Sequence, residues 1–161
     1  MYGLETVSLR YFNVFGPWQD AASAYSGAIA TFITLMTQNR TPTIFGDGEQ
    51  SRDFTFVENV VAANLLACTA PKAQVAGQTF NVGTGSQTTI NRVYRTIQKL
   101  MNFPSEPIYA PARVGDVRHS YADISSARKN ISYTPRISFE EGMKQTVDWY
   151  TKNTVLSTAS T

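Results

Sequence analysis

The sequence contains little cysteine. Its 161 residues include a single cysteine, Cys68, which excludes an internal disulfide and a zinc site built from several cysteines. Cys68 lies in the apolar run VVAANLLACTA, which predicts a buried thiol. A free thiol suits a reducing compartment, so we expect a cytoplasmic protein.

Long apolar runs and excess charge are lacking too. No apolar stretch approaches about 20 residues, so no membrane span is expected, and the N-terminus does not have the pattern of a signal peptide. The sequence has fourteen Lys and Arg residues and twelve Asp and Glu residues, which gives a formal net charge of +2. Because the basic residues form no run, nucleic acid is not indicated as a partner. The small and scattered positive charge fits isolated arginines that bind one anionic ligand better than it fits a nucleic-acid surface.

The single histidine limits the catalytic sites that can be built. Nothing around His119 specifies a serine partner, so a Ser-His-Asp site is not indicated. No spacing of His, Cys or carboxylates predicts a metal site. The turn at Gly83–Thr88 follows a strand, but the dinucleotide fingerprint needs glycine where Thr88 stands. We expect Ser86, Thr88 or Thr89 to cap the next helix instead.

Short strands and helices alternate along the chain, which predicts an α/β fold. Periodicity predicts strands at 4–15, 43–45, 52–57 and 78–82, and helices at 29–36, 58–69, 90–101, 124–129 and 138–150. Residues 1–155 are expected to form one compact unit, with 151–161 as a frayed polar tail. Three or four strands are few for a complete doubly wound sheet, which suggests part of a larger fold.

Arginines and polar residues occur at strand ends and in one loop. Arg52 follows a turn, Arg113, Asp116 and Arg118 lie within six residues of each other, and Asn13 ends the first strand. Guanidinium groups bind phosphate oxygens in a forked geometry, and a carboxylate accepts from sugar hydroxyls. An anionic, sugar-like ligand is one interpretation. Ordinary loop ion pairs, which contribute little, are the other.

Four motifs occur in a characteristic order: RYFNVFGP, PTIFGDGEQSRDFTFVENVV, FNVGTG and RVGDVRHSYADISSA. Together they resemble the NAD-dependent epimerase/dehydratase family, the extended branch of the short-chain dehydrogenases/reductases. The pattern looks most like UDP-glucose or UDP-N-acetylglucosamine 4-epimerases, over roughly residues 2–150. The resemblance implies a partial Rossmann-type sheet together with the small C-terminal substrate-binding domain of that family.

In such enzymes RYFNVFGP lies past the middle of a longer chain, so the resemblance implies a C-terminal half. None of the eight tyrosines is followed four residues later by lysine, so the catalytic Tyr-x-x-x-Lys pair is not in this sequence, and neither is the glycine-rich NAD loop. We therefore expect no epimerase activity and no NAD binding by this chain alone. The resemblance assigns 1–17, 52–70 and 78–84 to the Rossmann half, and 18–51 and 85–150 mostly to the substrate domain.

The resemblance also assigns roles to individual residues around a UDP-sugar. It places Arg52 and Arg113 on the diphosphate, Asp116 on the uridine ribose, and Asn13 at the diphosphate or the sugar. The stretch from Ala28 to Phe32 and the strand residues Ile44 and Phe45 are placed beside the uracil. Ser120 is placed near the ligand. Tyr11 and Phe12 are expected near the nicotinamide end of the NAD pocket. Asn81 is expected to anchor a loop.

The sequence departs from the family pattern at a few positions. Trp18 stands where arginine is usual, and AIATFI at 28–33 replaces a stretch that often reads VIPKFI. Both are expected to border the substrate cleft. Asn59 stands where the family has aspartate, and we expect it to affect a helix start.

Three roles stay open on the sequence alone. The chain can be a catalytically incomplete epimerase, a non-enzymatic self-associating or partner-binding module, or a subunit that completes an enzyme with a separate N-terminal Rossmann half. Because the Rossmann-half strands would leave an open sheet edge and apolar surface, we expect a homodimer or higher oligomer.

Overall fold

A computed structural model describes residues 4–20 and 27–158. Residues 1–3, 21–26 and 159–161 lie outside the described residues, and 159–161 belong to the predicted tail. Its elements are, in chain order, β1 (Ser8–Tyr11), β2 (Val14–Phe15), α1 (Ala28–Thr37), β3 (Thr43–Phe45), β4 (Ser51–Arg52), β5 (Thr55–Phe56), α2 (Val57–Thr69), α3 (Lys72–Val75), β6 (Thr79–Val82), β7 (Thr88–Thr89), α4 (Ile90–Met101), β8 (Ile108–Ala110), α5 (Ser125–Ile131) and α6 (Phe139–Thr158). The α/β class predicted from the sequence is confirmed.

The described strands form four pairs. β1 pairs with β6, β2 with β5 and β3 with β8, all parallel, whereas β4 and β7 are antiparallel. In the β1–β6 pair Leu9 lies opposite Phe80 and Tyr11 opposite Val82, so these four side chains share one face. Parallel partners require a crossover connection, and helices lie between the partners of each parallel pair in the chain.

The first apolar cluster lies between α1, α4 and α6. The stripe predicted on α1 is buried as the helical period requires: Ile29, Phe32, Ile33 and Met36 are each at most 4% exposed. Phe32 meets the edge of Tyr94 of α4, with ring centroids 5.8 Å apart. Each such side chain contributes about 1.5–3 kcal/mol through removal of apolar surface from water.

The second apolar cluster lies on one face of the β1–β6 pair. Phe80 and Val82 of β6 are buried against α2 and α5. The α2 residues in this cluster are Val60, Ala63 and Ala67, which recur at the spacing of one helix face. The other face of the pair carries polar residues such as Arg10.

A buried carboxylate joins the two clusters. Asp53 is 0% exposed, and its Oδ1 accepts from the Thr84 backbone N–H at 2.8 Å and the Thr84 hydroxyl at 2.7 Å. Its Oδ2 accepts from Gly85 N–H at 2.9 Å and Ala122 N–H at 3.1 Å. Gly83 is required beside it, because a Cβ there would lie 2.7 Å from Asp53 Oδ2. Asp53 therefore connects the β4–β5 segment to the glycine turn and to the loop before α5.

Several local predictions differ from the structure. The predicted strand at 4–15 is interrupted between β1 and β2, and β7 and β8 were not predicted. α6 continues past Tyr150 to Thr158, into the predicted tail, because extending an existing helix is far easier than starting one. The predicted burial of Cys68 is wrong: the thiol is exposed, since α2 turns Val60, Ala63 and Ala67 towards the core instead.

In the described part of the chain, no helix combines the length and apolar character needed to cross a membrane.

Candidate functional site

An open cleft of about 240 Å³ lies between α1, β3, β4 and the loop that precedes α5. Eight of the nine residues predicted to contact the substrate line it: Asn13, Ala28, Phe32, Ile44, Phe45, Arg52, Arg113 and Asp116. They come from distant parts of the sequence. Ala28 and Phe32 come from α1, Ile44 and Phe45 come from β3, and Asn13 lies between β1 and β2.

One side of the cleft carries three charged side chains. Arg52 donates from Nη1 to the Ser51 carbonyl at 2.8 Å, and its Nη2 forms an ion pair with Asp116. A turn holds Asp116 in place, because its N–H donates to the Arg113 carbonyl at 3.2 Å. The Arg113 guanidinium lies 4.1 Å above the centre of the Phe45 ring, a cation–π contact.

These charges leave the cleft suited to an anion. Two guanidinium groups and one carboxylate give a formal charge of +1. Arg52 has five N–H donors, of which the contacts to Ser51 and Asp116 use two. Its remaining donors and those of Arg113 can bind phosphate oxygens in a forked geometry.

The other side of the cleft is mainly apolar. Phe32 and Ile44 are 4% and 1% exposed, whereas Phe45 is 38% exposed and carries the Arg113 guanidinium on one face of its ring. A planar, partly apolar group fits such a wall, because flat rings pack on aromatic and aliphatic side chains with little loss of polar contacts.

Gln50 is a cleft residue that sequence reasoning missed. Its Nε2 donates to the Phe45 carbonyl at 2.7 Å, which fixes the end of β3. Its Oε1 is buried and has no hydrogen-bond partner among the described residues. The only sequence signal was its place after the Gly-Asp-Gly turn and just before Arg52.

Three predicted site residues do not reach the cleft. Ser120 donates its backbone N–H to the Ser51 carbonyl at 3.1 Å, and it does not line the cleft. The Tyr11 hydroxyl donates to Asn64 Oδ1 at 3.0 Å, and Phe12 packs on the second apolar cluster. Both aromatic residues were predicted at an NAD pocket and not in this cleft, so their role stays a prediction.

Trp18 does not border the cleft, so that prediction is wrong. Its ring packs at 5.1 Å from the ring of Trp149 of α6. Trp18 also has a positive φ of 68°, which is uncommon for a residue other than glycine. In contrast, Ala28, Thr31 and Phe32 of the AIATFI stretch do line the cleft, as predicted for that stretch.

The glycine turn at 83–86 cannot act as a phosphate loop in this arrangement. Its backbone donors at Thr84 and Gly85 are both used by Asp53. The predicted helix cap is confirmed instead, since Thr89 Oγ1 accepts from the Arg92 N–H at 3.2 Å at the start of α4. The predicted loop anchor is confirmed too: Asn81 Nδ2 donates to the Asp123 carbonyl at 3.1 Å.

Asn59 has a different role from the one predicted. It lies in the first turn of α2, but its side chain crosses to the segment before α6. Its Oδ1 accepts from Arg136 N–H at 2.8 Å and Ile137 N–H at 3.0 Å, and its Nδ2 donates to the Ile137 carbonyl at 2.8 Å. Asparagine fits because these contacts need both an acceptor and a donor.

The three charged residues of the loop at 113–118 lie in two different places, since Arg113 and Asp116 line the cleft and Arg118 does not. Arg118 does not join the cleft, and both its Nη atoms donate to Asp47 at 2.8 Å. These hydrogen bonds lower the pKa of Asp47 to about 2.

His119 Nδ1 lies 2.8 Å from Ser51 Oγ, but Ser51 is 1% exposed, so its hydroxyl cannot reach a substrate as a nucleophile. Among residues 4–20 and 27–158, no three His, Cys or carboxylate side chains form a group able to hold a metal.

Comparison with known proteins identifies the architecture. The model of the NAD dependent epimerase/dehydratase family matches residues 1–83. A UDP-glucose 4-epimerase of Mycolicibacterium smegmatis is 36% identical over 93% of this chain and 47% of its own length. A crystal structure of the UDP-glucose 4-epimerase of Thermotoga maritima with UDP-glucose matches with a TM-score of 0.88 and 40% identity, over 95% of this chain and 48% of that one.

A third match carries both a sugar nucleotide and a cofactor. The UDP-glucuronic acid 4-epimerase of Bacillus cereus, in complex with UDP-glucuronic acid and NAD, matches with a TM-score of 0.84 and 28% identity, over 94% of this chain and 47% of that one. The chain thus spans about half the length of the curated relatives it matches. These matches confirm the fold predicted from the four motifs.

Proposed function

Because the chain belongs to the NAD-dependent epimerase/dehydratase family, we propose that it is the nucleotide-sugar-binding part of a UDP-sugar 4-epimerase. One observation carries the proposal. Arg52, Arg113 and Asp116 come together beside an apolar wall in a single cleft, and a UDP-sugar has the matching anionic, hydroxyl-bearing and planar parts.

In the proposed complex each part of the ligand meets a matching surface. The diphosphate binds Arg113 and the free donors of Arg52. Asp116 accepts hydrogen bonds from the ribose hydroxyls while it keeps its ion pair with Arg52, since a carboxylate has several acceptor positions. The uracil packs against Phe45 and Ile44, and Asn13 contacts the sugar or the diphosphate.

We propose that this part is catalytically incomplete by itself. In the family reaction NAD, when bound, supplies the chemistry by accepting a hydride from the sugar and returning it. The glycine turn does not offer its Thr84 and Gly85 N–H groups to an NAD phosphate, because both donate to Asp53. These 161 residues also contain no Tyr-x-x-x-Lys pair. They therefore bind and orient the nucleotide, while proton and hydride transfer need the other part of the fold, in the same chain or in another.

The apolar clusters support the predicted domain assignment only in part, since Phe56 of the β2–β5 pair belongs to the first cluster and Ile131 of α5 belongs to the second. We propose that the β1–β6 and β2–β5 pairs with α2 belong to the Rossmann half. The helices α1 and α4 with the β3–β8 pair then belong to the substrate domain. We also propose a cytoplasmic location, since the exposed Cys68 thiol suits a reducing compartment.

The alternative function is a self-associating or partner-binding module without ligand affinity. Val61 and Leu65 of α2 are 52% and 64% exposed, and such apolar surface favours association. A homo-oligomer is compatible with either function. Ligand binding distinguishes the nucleotide-sugar-binding function from the module, because a module that only associates with proteins does not need a cleft that binds a ligand.

Thermal unfolding with and without UDP and UDP-glucose tests the proposed function. A ligand that binds only the folded state stabilises it by about 2.7 kcal/mol at a hundredfold excess over the dissociation constant, so the midpoint should rise. Arg113→Ala should abolish the rise. Arg95→Ala, an exposed arginine of α4 outside the cleft, should retain it. No rise in the unaltered chain would leave the module as the better account.

Asp116→Ala refines the same experiment by separating nucleoside from phosphate contacts. Without the carboxylate, Arg52 is freed from its ion pair and the cleft becomes more positive. Inorganic pyrophosphate should then bind as well as before or more tightly, whereas UDP should bind more weakly because a ribose contact is lost. Parallel losses for both ligands would contradict the role assigned to Asp116.

A further inference from the structure

Arg113 of the cleft is held by an aromatic ring and not by a carboxylate. Its guanidinium carbon lies 4.1 Å from the centre of the Phe45 ring. Within residues 4–20 and 27–158, the Arg113 side chain forms no ion pair and donates no hydrogen bond. Its five N–H groups therefore have no acceptor in the described part of the chain, and all of them can bind a ligand.

Arg52, the other arginine of the cleft, is held in the opposite way. Two of its donors are used, one by the Ser51 carbonyl and one by Asp116, and the carboxylate also offsets its charge. An aromatic ring has neither effect, because it carries no formal charge and attracts the cation through its π-face. The Phe45 ring thus restrains Arg113 and leaves its charge and its donors in place.

Phe45 is a firm base for this contact, because its backbone is fixed from two sides. It ends β3 and lies opposite Ala110 in the β3–β8 pair, and the next residue, Gly46, donates its N–H to the Ala110 carbonyl at 2.8 Å. The Phe45 carbonyl accepts from Gln50 Nε2 at 2.7 Å. Arg113 follows Ala110 by three positions, so the strand pairing brings the start of its loop beside the ring.

The loop that carries Arg113 is also tied at its far end. The Ser51 N–H donates to the Arg118 carbonyl at 2.9 Å, and the Arg118 guanidinium binds Asp47 through two hydrogen bonds. These contacts fix the backbone of the loop, but not the long Arg113 side chain. An arginine side chain loses rotational freedom when it binds an anion, and this loss weakens binding. A ring that restrains the side chain beforehand reduces the loss.

We propose that Phe45 is a positioning residue for the diphosphate of the ligand: its ring holds the Arg113 guanidinium at the cleft, so that the anion meets a cation that is already restrained. The inference rests on the proposed function, which assigns the diphosphate to Arg113 and the uracil to Phe45. It gives the ring a second part, in phosphate binding, that does not involve the base. Among the described residues, no other ring lies within cation–π distance of a cleft arginine.

Calorimetric titration with inorganic pyrophosphate, which has no base, tests the role of the ring. Phe45→Leu keeps an apolar side chain but removes the π-face, so pyrophosphate should bind about two- to fivefold more weakly, the range expected for an exposed cation–π contact. Phe45→Trp should restore the affinity, since tryptophan is the strongest partner for a cation. Tyr121→Leu is the matched control: its ring is 56% exposed but does not line the cleft, so its loss should leave binding unchanged.

A double-mutant cycle shows whether the ring acts through Arg113. In an Arg113→Ala background, Phe45→Leu should no longer change pyrophosphate binding, because no guanidinium is left to position. A similar loss in both backgrounds would overturn the inference, since the ring would then act on the cleft in another way. Uridine, which has no phosphate, measures the base contact separately. If Phe45→Leu weakens uridine binding and leaves pyrophosphate binding unchanged, the ring acts on the base alone and the inference is wrong.

NMR of the ligand-free chain provides a measurement that does not depend on affinity. An aromatic ring shifts the signals of protons above its face upfield, so the δ-methylene signals of Arg113 should be shifted in the unaltered chain. Phe45→Leu should remove this shift and Tyr121→Leu should keep it, and the dispersion of the remaining signals verifies that each variant is folded. Unshifted Arg113 signals in the unaltered chain would overturn the inference.

Two outcomes separate this inference from the proposed function. If UDP binds and Phe45→Leu leaves pyrophosphate binding unchanged, the proposed function stands and the positioning role is wrong. If pyrophosphate binding depends on Phe45 through Arg113 but UDP binds no more tightly than pyrophosphate, the positioning role stands and the assignment of a nucleoside diphosphate fails. No binding of UDP or of pyrophosphate by the unaltered chain would overturn both.

Discussion

Tyr133 is a buried tyrosine whose hydroxyl donates to the Gly83 carbonyl at 2.9 Å. Burial, and to a lesser extent the Asp53 carboxylate, raises its pKa from 10 to about 12. Between these pH values the tyrosine is ionised in the unfolded chain but still protonated in the folded one. The folded state then binds more protons, so stability is fully present below pH 10 and falls as the pH rises towards 12.

Tyr133→Phe should remove this pH dependence. In the unaltered chain we expect the free energy of unfolding to fall by about 1.4 kcal/mol per pH unit between pH 10 and 12 from this group. The variant should be about 1–3 kcal/mol less stable at neutral pH, because the buried Gly83 carbonyl loses its partner. Urea unfolding across this pH range measures both. Since the pKa values of Tyr94 and Tyr150 are raised too, the difference between variant and unaltered chain is the quantity to compare. Equal slopes would contradict the expectation.

At the residue scale, the sequence identified side chains whose type already carries a chemistry. Arg52, Arg113 and Asp116 fall in this class, and the structure brings them together. Asp53 and Gln50 could not be found in this way. The role of Asp53 depends on burial and on donors more than thirty positions away, and neither can be read from its neighbours in the chain.

At the scale of elements, α6 packs on β5 through a glycine. A Cβ at Gly142 would lie 2.7 Å from Cδ2 of the Phe56 ring. Phe56 is 1% exposed, and its ring lies 5.6 Å from that of Phe15, so it has little room to move. The glycine therefore sets how closely the helix approaches the strand.

Gly142→Ala should destabilise the protein although alanine is the better helix former. Helix propensity alone would stabilise it by about 1 kcal/mol, but overpacking against a fixed ring costs about 1–3 kcal/mol. We expect a net loss, measured by urea unfolding. In a Phe56→Leu background the same change should cost less, because the smaller side chain leaves space. A variant more stable than the unaltered chain would show that α6 can shift outwards.

Helices were predicted better than strands, for a physical reason. The stripes on α1 and α4 repeat every three or four residues over ten or more positions, which gives a strong signal. β7 and β8 have two and three residues, and their existence depends on partners far away in the chain. The same holds for the break after β1, which no local pattern marks.

At the scale of the whole molecule, Asp53 holds two apolar clusters together. Phe54 beside it belongs to the first cluster, and Ala122, whose N–H it accepts, belongs to the second. Both tryptophans report on the first cluster, since Trp149 packs against it and Trp18 packs on Trp149.

Asp53→Asn should weaken the protein and uncouple the two clusters. The amide turns an N–H group towards donors that need an acceptor. We therefore expect the free energy of unfolding to fall by about 3 kcal/mol or more. Tryptophan fluorescence and circular dichroism should show one shared unfolding transition in the unaltered chain and separate transitions in the variant. Asp148→Asn, an exposed position on α6, should change neither. A small loss with coincident transitions would show that the clusters do not depend on Asp53.

The strand pairing described above has a consequence for how the protein folds. Ser8 pairs with Thr79 and Thr43 with Ile108, and no pair among the described strands joins neighbours in the chain. Ser8 and Thr79 lie about 70 positions apart, so the β1–β6 pair can form only after the whole segment between them has been made. Such non-local pairing makes folding slow, and it exposes strand edges to other chains in the meantime. Folding of this kind is the kind that chaperones assist.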